Sequence, residues 1–85
     1  MVRDLPQPTV PRDEPNFDAL RLAAHIRRRQ LRLSVRALAE RSQVPESTVT
    51  GALYGYSEGN LRTWHAMAKG LQVPLGALLN HLNDP

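Results

Sequence analysis

The sequence predicts an all-α fold, a compact five-helix bundle. Apolar residues recur at spacings of three and four in five separate stretches, the period of a helix with one buried face. Between or just after these stretches stand Pro45, Gly55, Gly59 and Pro74, residues that start or stop helices. No credible strand interrupts the series. At 85 residues the chain is one domain, long enough for a small helical core and too short for a separate ligand-binding unit.

Residues 1–15 carry Pro6, Pro8, Pro11 and Pro15, which deny backbone donors and favour extended chain. They read as a Pro-rich N-terminal arm ahead of a domain spanning 16–83. Helix one is expected over 17–31, with Asn16 or Pro15 marking its start and Phe17, Leu20, Ala24 and Leu31 forming its inner stripe. Leu22 and Ile26 lie nearly opposite that stripe. They need cover from Leu5 and Val10 of the arm or from a second subunit, or they are simply exposed. Ser34 caps helix two, 35–42. Helix three, 45–54, opens at Pro45 or Glu46 and is closed by Gly55, with Glu46 suited to its positive end. A loop over 56–60 leads to helix four, 61–70, which turns Leu61, Trp64, Met67, Ala68 and Leu71 inward. Gln72-Val73-Pro74 breaks it before helix five, 75–82.

Residues 33–55 carry the functional signal. Two short helical patterns flank Ser42-Gln43-Val44-Pro45, and such a pair cannot bury both inner faces alone. It packs into a bundle and leaves the outer face of its second helix free to enter a groove. This is a helix-turn-helix over 34–54, and it makes double-stranded DNA the first partner to consider. Positive charge is concentrated nearby. Arg21, Arg27, Arg28, Arg29 and Arg32 stand against Asp18 alone within 17–33, while the net charge of the chain is only +3. That placement suits phosphate attraction, with a solvated helix face as the lesser alternative.

Other classes find little support. The chain has no cysteine, so it can form neither disulfides nor thiolate metal sites, and a reducing cytoplasm is the simplest setting. No apolar run reaches membrane-spanning length, and the N-terminus lacks a basic-then-apolar leader. His25, His65 and His81 fall on separate helices without ligand spacing. Asp13-Glu14 sits on the arm, and there is neither a Gly-rich phosphate loop nor a nucleophile motif. The expectation is a non-enzyme with no metal and no cofactor.

A family resemblance rests on an ordered set of residues. The set runs through Leu20, Ala24, Arg28 and Leu31, then Leu33-Ser34, Leu38-Ala39 and Val44. It continues with Ser47-Thr48-Val49-Thr50, Gly55 and Leu61-x-x-Trp64-x-x-Met67-Ala68-x-x-Leu71-x-Val73. With these, residues 20–82 resemble the Cro/CI-type (xenobiotic-response-element) helix-turn-helix regulators. The resemblance implies a lambda-repressor-like domain in which helices two and three form the DNA-reading unit. It also implies a cytoplasmic, nucleoid-associated regulator of bacterial or phage type, most simply a repressor acting as a homodimer on a palindromic operator. Glu46, Ser47, Thr50 and Gly51 then fall at base-reading places. Ser34, Arg36, Thr48, Tyr54, Tyr56 and Arg62 flank them as DNA-backbone contacts. Tyr54 and Tyr56 can instead pack over the loop, and Trp64 reads as core.

The chain departs from that pattern at four places. Val35 stands where the family usually carries a phosphate-contacting Gln. Gln43 replaces the usual turn Gly and must adopt a left-handed conformation. Leu53 occupies the place of the acid that pairs with Arg28, which leaves that guanidinium to a backbone carbonyl or solvent. Gly51 has no side chain with which to read a base. With no bidentate Arg or Gln at the reading positions, DNA shape and water are expected to carry more of the specificity. Arg3 and Arg12 on the arm suit a minor groove, and Asp4, Asp13 and Glu14 oppose it.

A single reading helix gives limited affinity, so a dimer is expected. Leu75, Leu79 and Leu82 are its first candidate interface and Leu22 with Ile26 the second, Leu78 facing the core. The alternative for helix five is that it lies across its own bundle and buries most of its leucines there. A second functional reading is a protein-interaction module, an antitoxin or adaptor that binds another protein through the leucine surface or the N-terminal arm.

Overall fold

The computed structural model describes residues 14–85; Arg3, Leu5, Val10 and Arg12 of the arm, with their expected contacts, lie outside them. The described residues form α1 (Phe17–Gln30), α2 (Val35–Ser42), α3 (Glu46–Tyr54), α4 (Leu61–Gly70) and α5 (Leu75–Leu79), followed by a 3-10 turn (Asn80–Asn83), with no strand among them.

Side chains set three of the helix starts. Asn16 Oδ1 accepts from the Ala19 N–H at 3.0 Å, Ser34 Oγ from Ala37 at 3.0 Å and Asn60 Oδ1 from Thr63 at 2.7 Å. Each satisfies a donor that the first helical turn leaves open. The other two helices follow Pro45 and Pro74, whose φ values of −55° and −66° are fixed by the ring. Their carbonyls accept the first N–H bonds of α3 and α5.

The helix ends repeat one device. After α1, α2 and α4 a left-handed residue is followed by an aliphatic one: Arg32-Leu33, Gln43-Val44 and Gln72-Val73, with φ of 58°, 59° and 61° at the first position. In each case the aliphatic residue's N–H reaches back five residues, to Arg28, Ala39 and Ala68 respectively, at 3.0–3.1 Å. The N–H before it closes onto Arg29, Glu40 and Lys69. These are Schellman caps, and the aliphatic residue of each packs against the core. The left-handed Gln43 expected from the sequence is therefore one of three, each held by a pair of backbone bonds. Gln43-Val44-Pro45 and Gln72-Val73-Pro74 are the same stop-and-restart unit used twice.

The core gathers Leu20 and Ala24 of α1, Leu38 and Ala39 of α2, Val49, Ala52 and Leu53 of α3, and Trp64, Met67 and Ala68 of α4, with Leu71 and Leu78. α2 and α4 pack tightly where Gly70 meets Ser42; a Cβ on Gly70 would overlap Ser42 Oγ and touch Leu38 Cδ1. The loop before α4 is pinned by Trp64 Nε1, which donates to the Glu58 carbonyl at 2.9 Å. Gly59 supplies the φ of 75° and the missing side chain that this close approach requires. The start of α1 is joined to the C-terminal turn as well: the Asn16 N–H donates to the Leu82 carbonyl at 2.8 Å, and Asn16 Nδ2 to that of Asp84 at 3.1 Å.

Two expectations need correction. Leu61 is 63% exposed and Thr63 takes its place in the interior. At 3.6 residues per turn Leu61 points about 120° away from Met67, whereas Thr63 points only about 40° away. Helix five is also shorter than expected, since the α-helix ends at Leu79 and tightens into the 3-10 turn. Asn80, His81 and Asn83 are weak helix formers, and the tether to Asn16 draws that turn against α1.

Candidate nucleic-acid interface

α3 buries Val49, Ala52 and Leu53 and turns Glu46, Ser47 and Thr48 to the surface, with Thr50 half-buried. Gly51 is less open than a base-reading place requires. It is half-buried beneath the following loop, its carbonyl accepts from the Ser57 N–H at 3.1 Å, and a Cβ would lie 3.4 Å from Ser57 Oγ. The free polar face of α3 is therefore its N-terminal half.

The flanking candidates sit in different surroundings. Ser34 is exposed, with its oxygen engaged in capping α2. Arg36 is exposed and lies 3.5 Å from Glu46 Oε1, so the first residue of α3 and the outer face of α2 are joined by an ion pair. On the surface such a pair contributes at most about 1 kcal/mol and gives way readily to another partner. Thr48 and Arg62 are exposed, and Tyr56 is 81% exposed. Tyr54 is held more firmly: half-exposed, it packs its ring against His25 at a centroid distance of 5.0 Å.

The arginines of α1, expected to attract phosphate, are for the most part turned inward. Arg21 Nε donates to the Ala52 carbonyl at 3.2 Å, and His25 Nε2 bonds the Leu53 carbonyl at 3.1 Å. Together with Ser57, they satisfy three successive carbonyls at the end of α3. Arg27 Nε donates to the Leu71 carbonyl, which closes α4, at 2.9 Å. Arg28 Nη1 donates to the Leu33 carbonyl at 2.7 Å and Nη2 faces His25 Nδ1 at 3.3 Å. A guanidinium cannot accept and a carbonyl cannot donate, so the paired bonds of His25 require hydrogen on Nε2. Where an acid on α3 would have paired with Arg28, His25 carries the link to the main chain of Leu53 instead. Cationic groups at these ends also meet the negative pole of a helix. Arg29, the fourth arginine of α1, remains exposed, as does Arg32 just beyond the helix.

Two cations of the surface, Arg41 and Lys69, escaped the sequence reading, and His65, read there only as a scattered histidine, stands with them. Arg41 on α2, and His65 and Lys69 on α4, stand exposed beside Arg62 around one cleft. The signal was the spacing of 62, 65 and 69 on the solvent side of α4, opposite Trp64, Met67 and Ala68.

A largely apolar surface lies elsewhere, on α1 and the C-terminal turn. A groove of about 410 Å³ runs between α1 and the C-terminal turn, lined by Ala19, Leu22, Ala23, Ile26, Val73 and Ala77 among others. Leu22 and Ile26 are 59% and 48% exposed. Leu75, Leu79 and Leu82 pack partly buried against their own core, and Leu78 is buried, as expected of it. Between the two candidate interfaces, Leu22 and Ile26 thus offer the more open apolar surface.

Among the described residues no helix is long and apolar enough to cross a membrane, and no three His, Cys, Asp or Glu side chains gather as metal ligands. Comparison with family models, curated proteins and solved structures returns no match for this chain.

Proposed function

We propose that this chain is a sequence-specific double-stranded DNA-binding regulator with a domain resembling the Cro/CI type, acting in the cytoplasm at the nucleoid. The observation that carries the reading is α3 itself. Its inner side is locked into the core, three carbonyls at its end are tied down by Arg21, His25 and Ser57, and its N-terminal polar face is open. A helix held from behind and free in front is what insertion into a major groove needs. Glu46, Ser47 and Thr50 then meet base edges, and Ser34, Arg36, Thr48, Tyr56 and Arg62 hold the phosphates. The simplest action is repression, a dimer covering a palindromic operator with half-sites roughly 34 Å apart.

Selection of bound duplexes from a random pool, followed by a salt titration on the best site, tests this. A two-fold motif with affinity falling steeply as salt rises supports it. No enriched motif and no salt dependence sinks it.

A second reading, a protein-interaction module of the antitoxin or adaptor kind, draws on the groove at Leu22 and Ile26. It predicts that a partner protein, rather than a second copy, covers that face, and size measurement of the isolated chain separates the two.

A further inference from the structure

The outer face of α4 carries a stripe of positive charge. Arg62, His65 and Lys69 occupy positions i, i+3 and i+7 on the side away from the core, with Ala66 between them. Arg41 reaches the same cleft from α2, and the turn through Ser42, Gln43, Val44 and Pro45 closes one end. The cleft has a volume of about 360 Å³ and no carboxylate in its lining. The ion pairs among the described residues are Arg21–Asp18, Arg36–Glu46 and His81–Asp84, so neither Arg41, Arg62 nor Lys69 belongs to one. The contrast with α1 is sharp. There Arg21, Arg27 and Arg28 are turned onto backbone carbonyls; here four basic side chains from two helices face the same space with no acid among them. Close packing of Gly70 on Ser42 is what brings α2 and α4 near enough to create it.

We propose that the α2–α4 cleft is a binding site for a phosphate-bearing anion. Two guanidiniums and an ammonium around one opening match the charge and oxygen count of a phosphate group better than those of a single carboxylate. The opening is larger than one phosphate and falls within the size range of small-molecule sites. None of Glu46, Ser47, Thr50 or Gly51 lines it, so the site goes beyond the base-reading face, and Arg62 is the residue it shares with the proposed phosphate contacts. The phosphate belongs either to a small phosphorylated compound or to a nucleic-acid backbone.

Inorganic pyrophosphate, titrated into the full chain at ionic strength held constant with sodium chloride, is the direct probe. Saturable amide shifts are expected around Arg41, Arg62, His65 and Lys69, together with a rise in the thermal midpoint. The double variant Arg41→Gln/Lys69→Gln should weaken binding by about tenfold or more, while Arg29→Gln leaves it unchanged. The second arm measures the salt dependence of duplex DNA binding. If the occupant is a backbone phosphate, pyrophosphate does not saturate and the double variant lowers the slope of log K against log salt by about one per cation removed. Absence of both effects overturns the proposal. The pyrophosphate arm contains no DNA, so failure of the DNA-binding reading is registered separately.

Discussion

His25 on α1 and Leu53 on α3 are joined by a hydrogen bond of 3.1 Å from the imidazole Nε2 to the main-chain carbonyl. With the neighbouring Arg21–Ala52 bond it fixes the last turn of α3 from behind. Removing the imidazole leaves a partly buried carbonyl without its partner and Arg28 Nη2 without its acceptor. His25→Ala should therefore cost about 1–2 kcal/mol in urea unfolding. Amide exchange should quicken in the last turn of α3 more than at the start of α2. A variant with an unchanged urea midpoint and unchanged exchange would remove the clamp.

The three left-handed caps make a different prediction. A side chain at such φ strains the backbone by about 1–2 kcal/mol, part of which glycine returns through its looser unfolded state. Gln43→Gly and Gln72→Gly should each raise stability by about 0.5–1 kcal/mol. The two are alike because they end the same tripeptide-linked pairs of helices. Neither side chain supplies a hydrogen bond among the described residues that the substitution would remove. Thermal midpoints that fall in both variants would show that the caps hold these glutamines for some other reason.

Much of this architecture was legible in the sequence because it depends on local chemistry. Asn16 and Ser34 announced helix starts, and the glycine usual at the Gln43 position in the regulators this sequence resembles announced a left-handed residue. Arg32 and Gln72 gave no such notice, since a long polar side chain does not mark a positive φ; only the aliphatic residue that follows each hints at the cap. The roles of the α1 arginines were hidden for another reason. Arg21 and Arg27 find carbonyls 31 and 44 residues away, and a carbonyl looks the same at every position of a sequence. Charge could be counted there, but not its direction. At the site, exposure of Glu46, Ser47 and Thr48 followed from helical period, while the loop over Gly51 depended on how Ser57 folds back.

The contact between Gly70 and Ser42 can be isolated by a double-mutant cycle. Gly70→Ala gains about 1 kcal/mol of helix propensity, yet its methyl group must displace Ser42 Oγ and press on Leu38, an overpacking cost of about 1–3 kcal/mol. The net effect should be destabilising. Ser42→Ala removes a buried hydroxyl that has no hydrogen-bond partner among the described residues, and should be neutral or stabilising. In the double variant the closest clash is gone, so the two changes should couple favourably by about 1 kcal/mol. Strict additivity in urea unfolding would mean that the helices relax apart instead.

The apolar groove predicts a change in association rather than in stability. Ile26→Glu places a charge on a half-exposed position that the core does not use, so folding should change by less than about 0.5 kcal/mol. If this face pairs two copies, sedimentation should shift from dimer to monomer at the same protein concentration. Leu79→Glu, aimed at the partly buried leucines of α5, should instead lower stability. Loss of dimer in the second variant with full stability, and not in the first, would move the interface to α5.

The reading role of α3 can be tested without knowing its operator. Ser47 is exposed on the open half of the helix, where a longer side chain meets no core atom. Ser47→Arg supplies the fork that pairs with the O6 and N7 edge of guanine, worth about 1–3 kcal/mol against other bases. Across a selected panel of sites, this variant should gain a guanine preference at one position of each half-site and keep the remainder of the motif. Thr50→Ala, one turn on and half-buried, should weaken a neighbouring position by less, because a neutral hydroxyl lacks the charge and the rigid two-pronged geometry of a guanidinium. Arg62→Gln should act differently from both, lowering affinity uniformly across sites and reducing the salt slope by about one. The pattern of the three responses matters more than any one magnitude. Base contacts change which sites are preferred, and phosphate contacts change how tightly all of them are held. If Ser47→Arg and Thr50→Ala both leave the preference untouched while Arg62→Gln still weakens binding, the chain holds duplex DNA by its backbone, and α3 does not read it.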